Sequence, residues 1–469
     1  MTIPGRTCGV FRQFAALWLT TLGGLGCATA VESATLSDLQ RVEASLRPLP
    51  ASLDAAESIE RAPDFDGSLN TYLAFAYEGS PALRATFEQW RAATYRPAQE
   101  RRLPEPTVTY AGFIRSVETR VGPQRHRIGA SQWFPWPSKL KAGAQAASLE
   151  AQSVQRSFEA HALDINAEVA TAYWRLWRVH RQREVLRDEV EILSSLSAQI
   201  RVRVEVGTAD LADLAQVDLM VSRARDRLVG LDEHERIASA KLVRVLGAPD
   251  GTQTPISRSE PVVLEVRETA VELIAQANRH PRVESLATLS NAADERVREA
   301  RADRAPSFGV GVDWILTGPS QAAAPPSDSG LDAVALSLSV KVPLWTRAYR
   351  ASENEARARG AVFRARAIDT RNGVSAAVRE QAARVADDVR RVRVYETTLG
   401  PQAQTTFEAV LHSYAVGRAT VGELLLAERE LIGLQGELHE AQADYGKDIA
   451  HLERAVGRRV ETKGPRDAR

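Results

Sequence analysis

Two segments of the chain alternate apolar with small or polar residues at a period of two. Phe308, Val310, Val312, Trp314 and Leu316 fall on one face, and Gly309, Gly311 and Asp313 on the other. Val334, Leu336, Leu338, Val340 and Val342 share a face opposite Ala335, Ser337, Ser339 and Lys341. The alternation predicts strands over about 307–316 and 334–342. Each has the roughly nine or ten residues that a tilted strand needs to cross a bilayer. A fainter pair falls at about 107–114 and 127–134. Trp133, Trp136, Trp314 and Trp345 lie near strand ends, where interfacial aromatics collect. Four strands cannot close a barrel in lipid, because unpaired edges are not tolerated there. Strands that cross a bilayer therefore require several subunits to share one barrel. Two copies would give a barrel plugged by side chains, and three would leave a lumen. Read by alternation alone, the same segments also fit ordinary hairpins on a soluble core.

Elsewhere the period lengthens to about 3.5. Ile165, Val169, Ala172, Leu176, Val179, Arg183, Leu186, Val190, Leu193, Ser197, Ile200 and Val204 follow one another at alternating steps of four and three. Nearly all are apolar, which is the pattern of a coiled-coil seam. No proline interrupts Ser138 to Val206, so up to roughly 100 Å of continuous helix is possible. A return path carries Leu211, Leu214, Val217, Val221, Leu228 and Leu231. A second one carries Val421, Leu424, Leu431, Leu434, Leu438, Tyr445, Ile449, Leu452 and Val456. Gly400-Pro401 interrupts the arm before this second return and predicts a kink.

These elements are written twice. Residues 69–250 and 271–460 each open with a proline-bearing short helix, Gly79-Ser80-Pro81 against Arg279-His280-Pro281. Each then runs through two strands, a long helical arm, a glycine turn and a return helix. The turns are Val206-Gly207-Thr208-Ala209 and Val416-Gly417-Arg418-Ala419, each followed by an acid, Asp213 or Glu423. The spacing from Gly207 to Gly417 equals that from Gly247 to Gly457, so the second hairpin repeats the first without a gap. Residues 251–270 read as a connector, 31–68 as an extended N-terminal segment, and 461–469 as a charged tail.

Composition narrows the chemistry. Lys+Arg and Asp+Glu both number 60 and cancel, so charge argues for no nucleic-acid partner. Residues 1–30 read as an export signal, with Arg6 and Arg12 ahead of an apolar run from Phe14 to Leu25. Cleavage after Ala30, in Ala28-Thr29-Ala30, competes with a lipoprotein box at Gly24-Leu25-Gly26-Cys27 that would leave Cys27 acylated. Past residue 30 no apolar stretch is long enough for a spanning helix. The histidines are scattered and form no metal-ligand spacing. P-loop, GxSxG and GxGxxG patterns are absent, so the sequence offers no catalytic, cofactor or metal site and predicts a protein that is not an enzyme.

The doubled layout, the turn Ser413-Tyr414-Ala415-Val416-Gly417-Arg418-Ala419-Thr420 with Glu423-Leu424-Leu425, and Gln132-Trp133-Phe134-Pro135-Trp136-Pro137-Ser138-Lys139-Leu140 resemble the TolC family of outer-membrane efflux proteins. The last segment is similar to the heavy-metal branch, the CusC/CzcC-like members. The resemblance implies a mainly α protein: long antiparallel coiled-coil hairpins form an α-barrel, and four strands per subunit enter a shared trimeric twelve-stranded β-barrel. It places the connector in an equatorial region. It also implies a homotrimer in the outer membrane with a long periplasmic extension, working with a periplasmic adaptor and an inner-membrane pump of the RND type. The tip residues Gly207, Thr208, Gly417, Arg418 and Thr420 become candidate adaptor contacts. Asp210, Asp213 and Glu423 become a candidate acidic ring at the pore gate, or else ordinary acids at helix N-termini. The expected activity is passive export of small solutes, heavy-metal cations among them. A periplasmic coiled-coil adaptor or scaffold without a pore is the rival reading.

Overall fold

The computed structural model describes residues 29–48, 65–248 and 256–463. It is mainly helical, with one small antiparallel sheet. The export signal and Cys27 lie outside the described residues. Chain packing divides the molecule into two compact units. Among the described residues, one comprises 29–40, 89–155 and 285–367, and the other 41–48, 65–88, 156–248, 256–284 and 368–463.

The first unit holds the sheet. Strands β1 (Thr107–Thr119), β2 (Gly122–Phe134), β3 (Ser307–Thr317) and β4 (Ala333–Lys341) lie in the order β1-β2-β3-β4, all antiparallel. β3 and β4 fall where alternation puts them. β1 and β2 run beyond the expected 114 and begin before the expected 127. Their added residues include Arg115, Glu118 and Pro123, which break the alternation. The ladder extends across them after a register shift, with Val117 opposite Gln124 and Glu118 opposite Pro123. The turn is tied to the β3–β4 loop, where Gly318 N–H donates to Pro123 O at 2.8 Å and Gly330 N–H to Val121 O at 2.8 Å. Gly122, at φ +136°, is required there because a Cβ would stand 1.9 Å from the Gly318 carbonyl oxygen.

The expected extended segment at 31–68 is corrected in part, because α1 (Ala30–Glu43) is a helix. All three prolines of that segment come at or after Pro48, so none obstructs the run before it. The Thr29 hydroxyl accepts from Glu32 N–H at 3.2 Å, and Glu32 pairs with Arg101. Between α1 and the sheet, the described residues form α2 (Leu69–Gly79), α3 (Pro81–Thr94) and α4 (Arg96–Glu100).

The long arms are α5 (Pro137–Glu205), an unbroken 69 residues, and its return α6 (Leu211–Leu246). After α7 (Ala270–Ala277) and α8 (Pro281–Ala302), the second ascending arm starts with α9 (Thr346–Val394). It then passes through one π-helical turn (Tyr395–Leu399) into α10 (Gly400–Ala415), and returns as α11 (Val421–Val456). The kink expected at Gly400-Pro401 thus takes the form of a widened turn. Pro401 has no N–H and its ring crowds the carbonyl four residues back, and the π-turn makes room while Gly400 N–H donates to Tyr395 O.

In the second unit, seam residues Ile165, Val169, Leu176, Val179, Leu186, Leu193 and Ile200 are buried. One core gathers Tyr72, Tyr173, Trp174, Trp177, Leu231 and Leu242. Gly446 gives Trp174 its place, since a Cβ there would lie 2.4 Å from the indole. A second core joins α5, α6, α10 and α11 through Leu193, Ile200, Val217, Val221, Tyr414, Val421 and Leu424.

Candidate functional site

The sheet's two faces differ in chemistry and share exposure. Register places Phe308 opposite Val340, Val310 opposite Leu338, Val312 opposite Leu336 and Trp314 opposite Val334. The same face continues through Ile128 and Ala130 to Tyr110 and Val108. It is a continuous apolar surface turned outward, with Leu336 79% and Leu338 74% exposed. The other face carries Thr109, Ser131, Gly309, Gly311, Ser337 and Ser339. On it Arg127 pairs with Asp313 at 2.8 Å, and Lys341 lies 4.3 Å from the Trp133 ring centroid. β1 and β4 are the sheet's edges.

The two expected tips share one backbone device. Gly207 (φ +70°) follows α5, Thr208 N–H donates to Arg203 O at 2.8 Å, and Gly207 N–H to Val204 O at 3.0 Å. Gly417 (φ +74°) follows α10, with Arg418 N–H on Ser413 O at 2.8 Å and Gly417 N–H on Tyr414 O at 3.0 Å. Each is a Schellman stop, which satisfies the last carbonyls and needs glycine at the left-handed position. The return helices start differently. Asp210 caps α6 by accepting from Ala212 N–H at 3.0 Å. Thr420 and Glu423 form a reciprocal capping box on α11. The Thr420 N–H, donating at 2.7 Å, holds the Glu423 carboxyl below its usual range. Two of the three expected ring acids are therefore engaged in caps. Asp213 sits in the first turn of α6 and makes no side-chain bond among the described residues.

Four histidines have structural partners. His180 contacts Ser257 and Glu235, His280 bonds Arg454 O, His451 meets Thr171, and Tyr110 bonds His126 at 2.9 Å. Among the described residues no group of three His, Cys, Asp or Glu could hold a metal ion, and no helix is long and apolar enough to cross a membrane.

One cluster was not anticipated from the sequence. Between α5, α6 and α11 lies a cleft of about 740 Å³ lined by Leu186, Glu189, Met220, Arg227, Glu428 and Gly433. Arg227 donates to Glu189, yet Glu189 Oε2 and Glu428 Oε1 are buried without hydrogen-bond partners. Burial, and then the charge of Glu189, pushes the Glu428 carboxyl up to about 7. The available signal was a charged residue at a seam position, since Glu428 follows Leu424 by four and precedes Leu431 by three.

Residues 75–248 match the family model described as Outer membrane efflux protein. No curated protein matches the chain. A membrane protein from Pseudomonas aeruginosa superposes with a TM-score of 0.70 at 18% identity, over 83% of this chain and 90% of that one. The outer membrane protein VceC of Vibrio cholerae gives 0.66 at 18% identity, over 84% and 97%. CusC, a protein described as forming a transmembrane channel, gives 0.68 at 16% identity, over 83% and 92%. The chain thus matches the outer membrane efflux protein pattern over residues 75–248 and shares its fold with solved outer-membrane proteins such as VceC and with CusC.

Proposed function

We propose that this chain is one subunit of an outer-membrane export duct. The observation that carries the reading is the four-stranded sheet, which leaves its apolar face outward and its two edges unpaired within the chain. Water does not favour such a face, and lipid does not tolerate such edges. Both are satisfied if β1 of one subunit pairs with β4 of the next. Three copies make twelve strands, enough for a lumen lined by the face of Arg127, Asp313 and Lys341. Unbroken α5 then leads from strand β2 into a helical tube in the periplasm.

In this reading the tips Gly207, Thr208, Gly417, Arg418 and Thr420 meet a periplasmic adaptor, and an inner-membrane pump of the RND type supplies the work. Asp210, Asp213 and Glu423 recur by threefold symmetry as an acidic collar favouring cations at the gate. Asp213, free of capping duty, is its main contributor. The duct is passive and not an enzyme, and the pump selects the substrate. Heavy-metal cations are the favoured class, by the resemblance of Gln132-Trp133-Phe134-Pro135-Trp136-Pro137-Ser138-Lys139-Leu140 to the heavy-metal branch.

The test is extraction followed by planar-bilayer recording. The duct requires detergent release from outer-membrane fractions, three times the subunit mass, and stepwise conductance. Release as a soluble single subunit would support the rival adaptor or scaffold and end the proposal.

A further inference from the structure

Glu353, in the second turn of α9, is 4% exposed and is surrounded by guanidinium groups. Arg301 Nε donates to it at 2.7 Å, and Arg304 and Arg357 also donate to it. The Arg301 hydrogen bond, aided by the charges of Arg304 and Arg357, holds the carboxyl below its usual range. One carboxylate against three guanidiniums leaves an excess of two positive charges. The arginines are ordered but not covered, with side chains 56%, 43% and 52% exposed. A guanidinium bonded along one edge still offers N–H groups along another, in the planar fork that suits phosphate oxygens.

The cluster lies close to the sheet's helix-side end. Arg304 precedes β3 by three residues, and α9 begins five residues beyond the end of β4. At 1.5 Å per residue, Glu353 and Arg357 lie within about 20 Å of the start of α9. Immediately before that start stand Leu344 and Trp345, 72% and 77% exposed, and Arg347 and Arg350 on its first turns are exposed as well. The order along the chain is apolar strand, exposed tryptophan, then arginines. Acyl chains, interface and headgroup phosphates follow one another in the same order across a leaflet.

We propose that Arg301, Arg304 and Arg357, held by Glu353, bind the phosphate of an anionic phospholipid headgroup in the leaflet on the helix side of the membrane. This rests on reading the sheet as membrane-spanning. Free phosphate would answer the charge but not the apolar face and tryptophan beside it. A zwitterionic headgroup would return a positive amine to a patch already in excess by two.

The full-length chain in nanodiscs of phosphatidylcholine doped with phosphatidylglycerol tests this, with retained lipid measured by mass spectrometry after purification. The wild type should enrich phosphatidylglycerol about fivefold over its bulk fraction. Arg301→Gln with Arg357→Gln should abolish the enrichment, whereas Arg298→Gln with Arg366→Gln, on the same helices, should retain it. Should the first pair fail to fold, Arg304→Gln alone is expected to lower the enrichment. No enrichment by wild type, enrichment untouched by these variants, or full displacement by millimolar inorganic phosphate would each overturn the lipid site. A chain that never enters nanodiscs would instead overturn the membrane reading, and this inference with it.

Discussion

Leu338 and Leu242 are the same side chain in opposite circumstances: one is 74% exposed on β4, the other wholly buried on α6. Both belong to regular apolar patterns, one of period two and one of period 3.5. The helical seam finds its cover within the chain, from the return helices and the aromatic core around Trp177. The strand face finds none, although burying each Leu or Val would contribute about 1.5–3 kcal/mol. The contrast separates what the chain completes alone from what, in the proposed duct, lipid and sister copies would complete. An apolar face that is regular, in register and uncovered therefore says more about surroundings than about stability.

The largest expected effect cuts the buried side. Trp177 packs edge-on to Trp174 at 5.8 Å and to His439 at 5.9 Å, with 1% of its surface exposed. Trp177→Ala should cost about 3–5 kcal/mol, equally in detergent and in bilayers. Leu338→Arg should cost about 2–4 kcal/mol near mid-membrane and less in detergent micelles, where the charge reaches water more easily. Denaturation profiles of both variants in matched bilayers and micelles check the pair. Equal losses for Leu338→Arg in every medium would break the contrast, since they would mean that the strand face packs on protein.

Next comes the charge buried inside the covered region. Glu428 keeps its proton in the folded chain up to about pH 7, against the ordinary glutamate value near 4.5 when unfolded. Below that lower value both states are protonated, and the buried group carries no penalty. Between the two values the unfolded state loses its proton first, so stability falls by about 1.4 kcal/mol per pH unit. Above pH 7 the loss, about 3 kcal/mol in all, persists. Glu428→Gln should remove this slope and make the protein more stable at pH 8 than the wild type. Melting temperatures across pH 4–9 decide it, and parallel profiles for the two proteins would refute the assignment.

How much of this was legible follows the same division. Period-two and period-3.5 patterns need only residue order, so β3, β4, the seam of α5 and both glycine turns could be read directly. The ends of β1 and β2 could not, because Glu118 and Pro123 contradict the alternation, and the turn they flank is tied to the β3–β4 loop, distant in sequence. Helix α1 was masked by the prolines that follow it, and its Glu32 is fixed by Arg101, far along the chain. The Glu189–Arg227–Glu428 and Glu353 clusters each assemble from separate helices, and charge counted along one helix does not reveal them. At the tips the turn was legible from glycine alone. That Asp210 and Glu423 cap their helices depends on hydrogen bonds that residue order does not reveal.

The smallest effect sets two glycines against each other. Gly417 has φ +74° and open space around the position of a Cβ, so only backbone conformation resists a side chain there. Gly417→Ala should cost about 1 kcal/mol. Gly433 also faces open space, but it lies inside helix α11 and lines the cleft beside Glu428. There a methyl group meets no clash and improves helix propensity, so Gly433→Ala should gain up to about 1 kcal/mol in an isolated subunit. Measured in the assembled oligomer, the second sign becomes informative. A gain that survives assembly means the cleft stays open in the tube. A gain that turns into a loss means a neighbouring helix occupies the space above Gly433, and that part of the covered region is completed by a sister copy, as proposed for the strand edges.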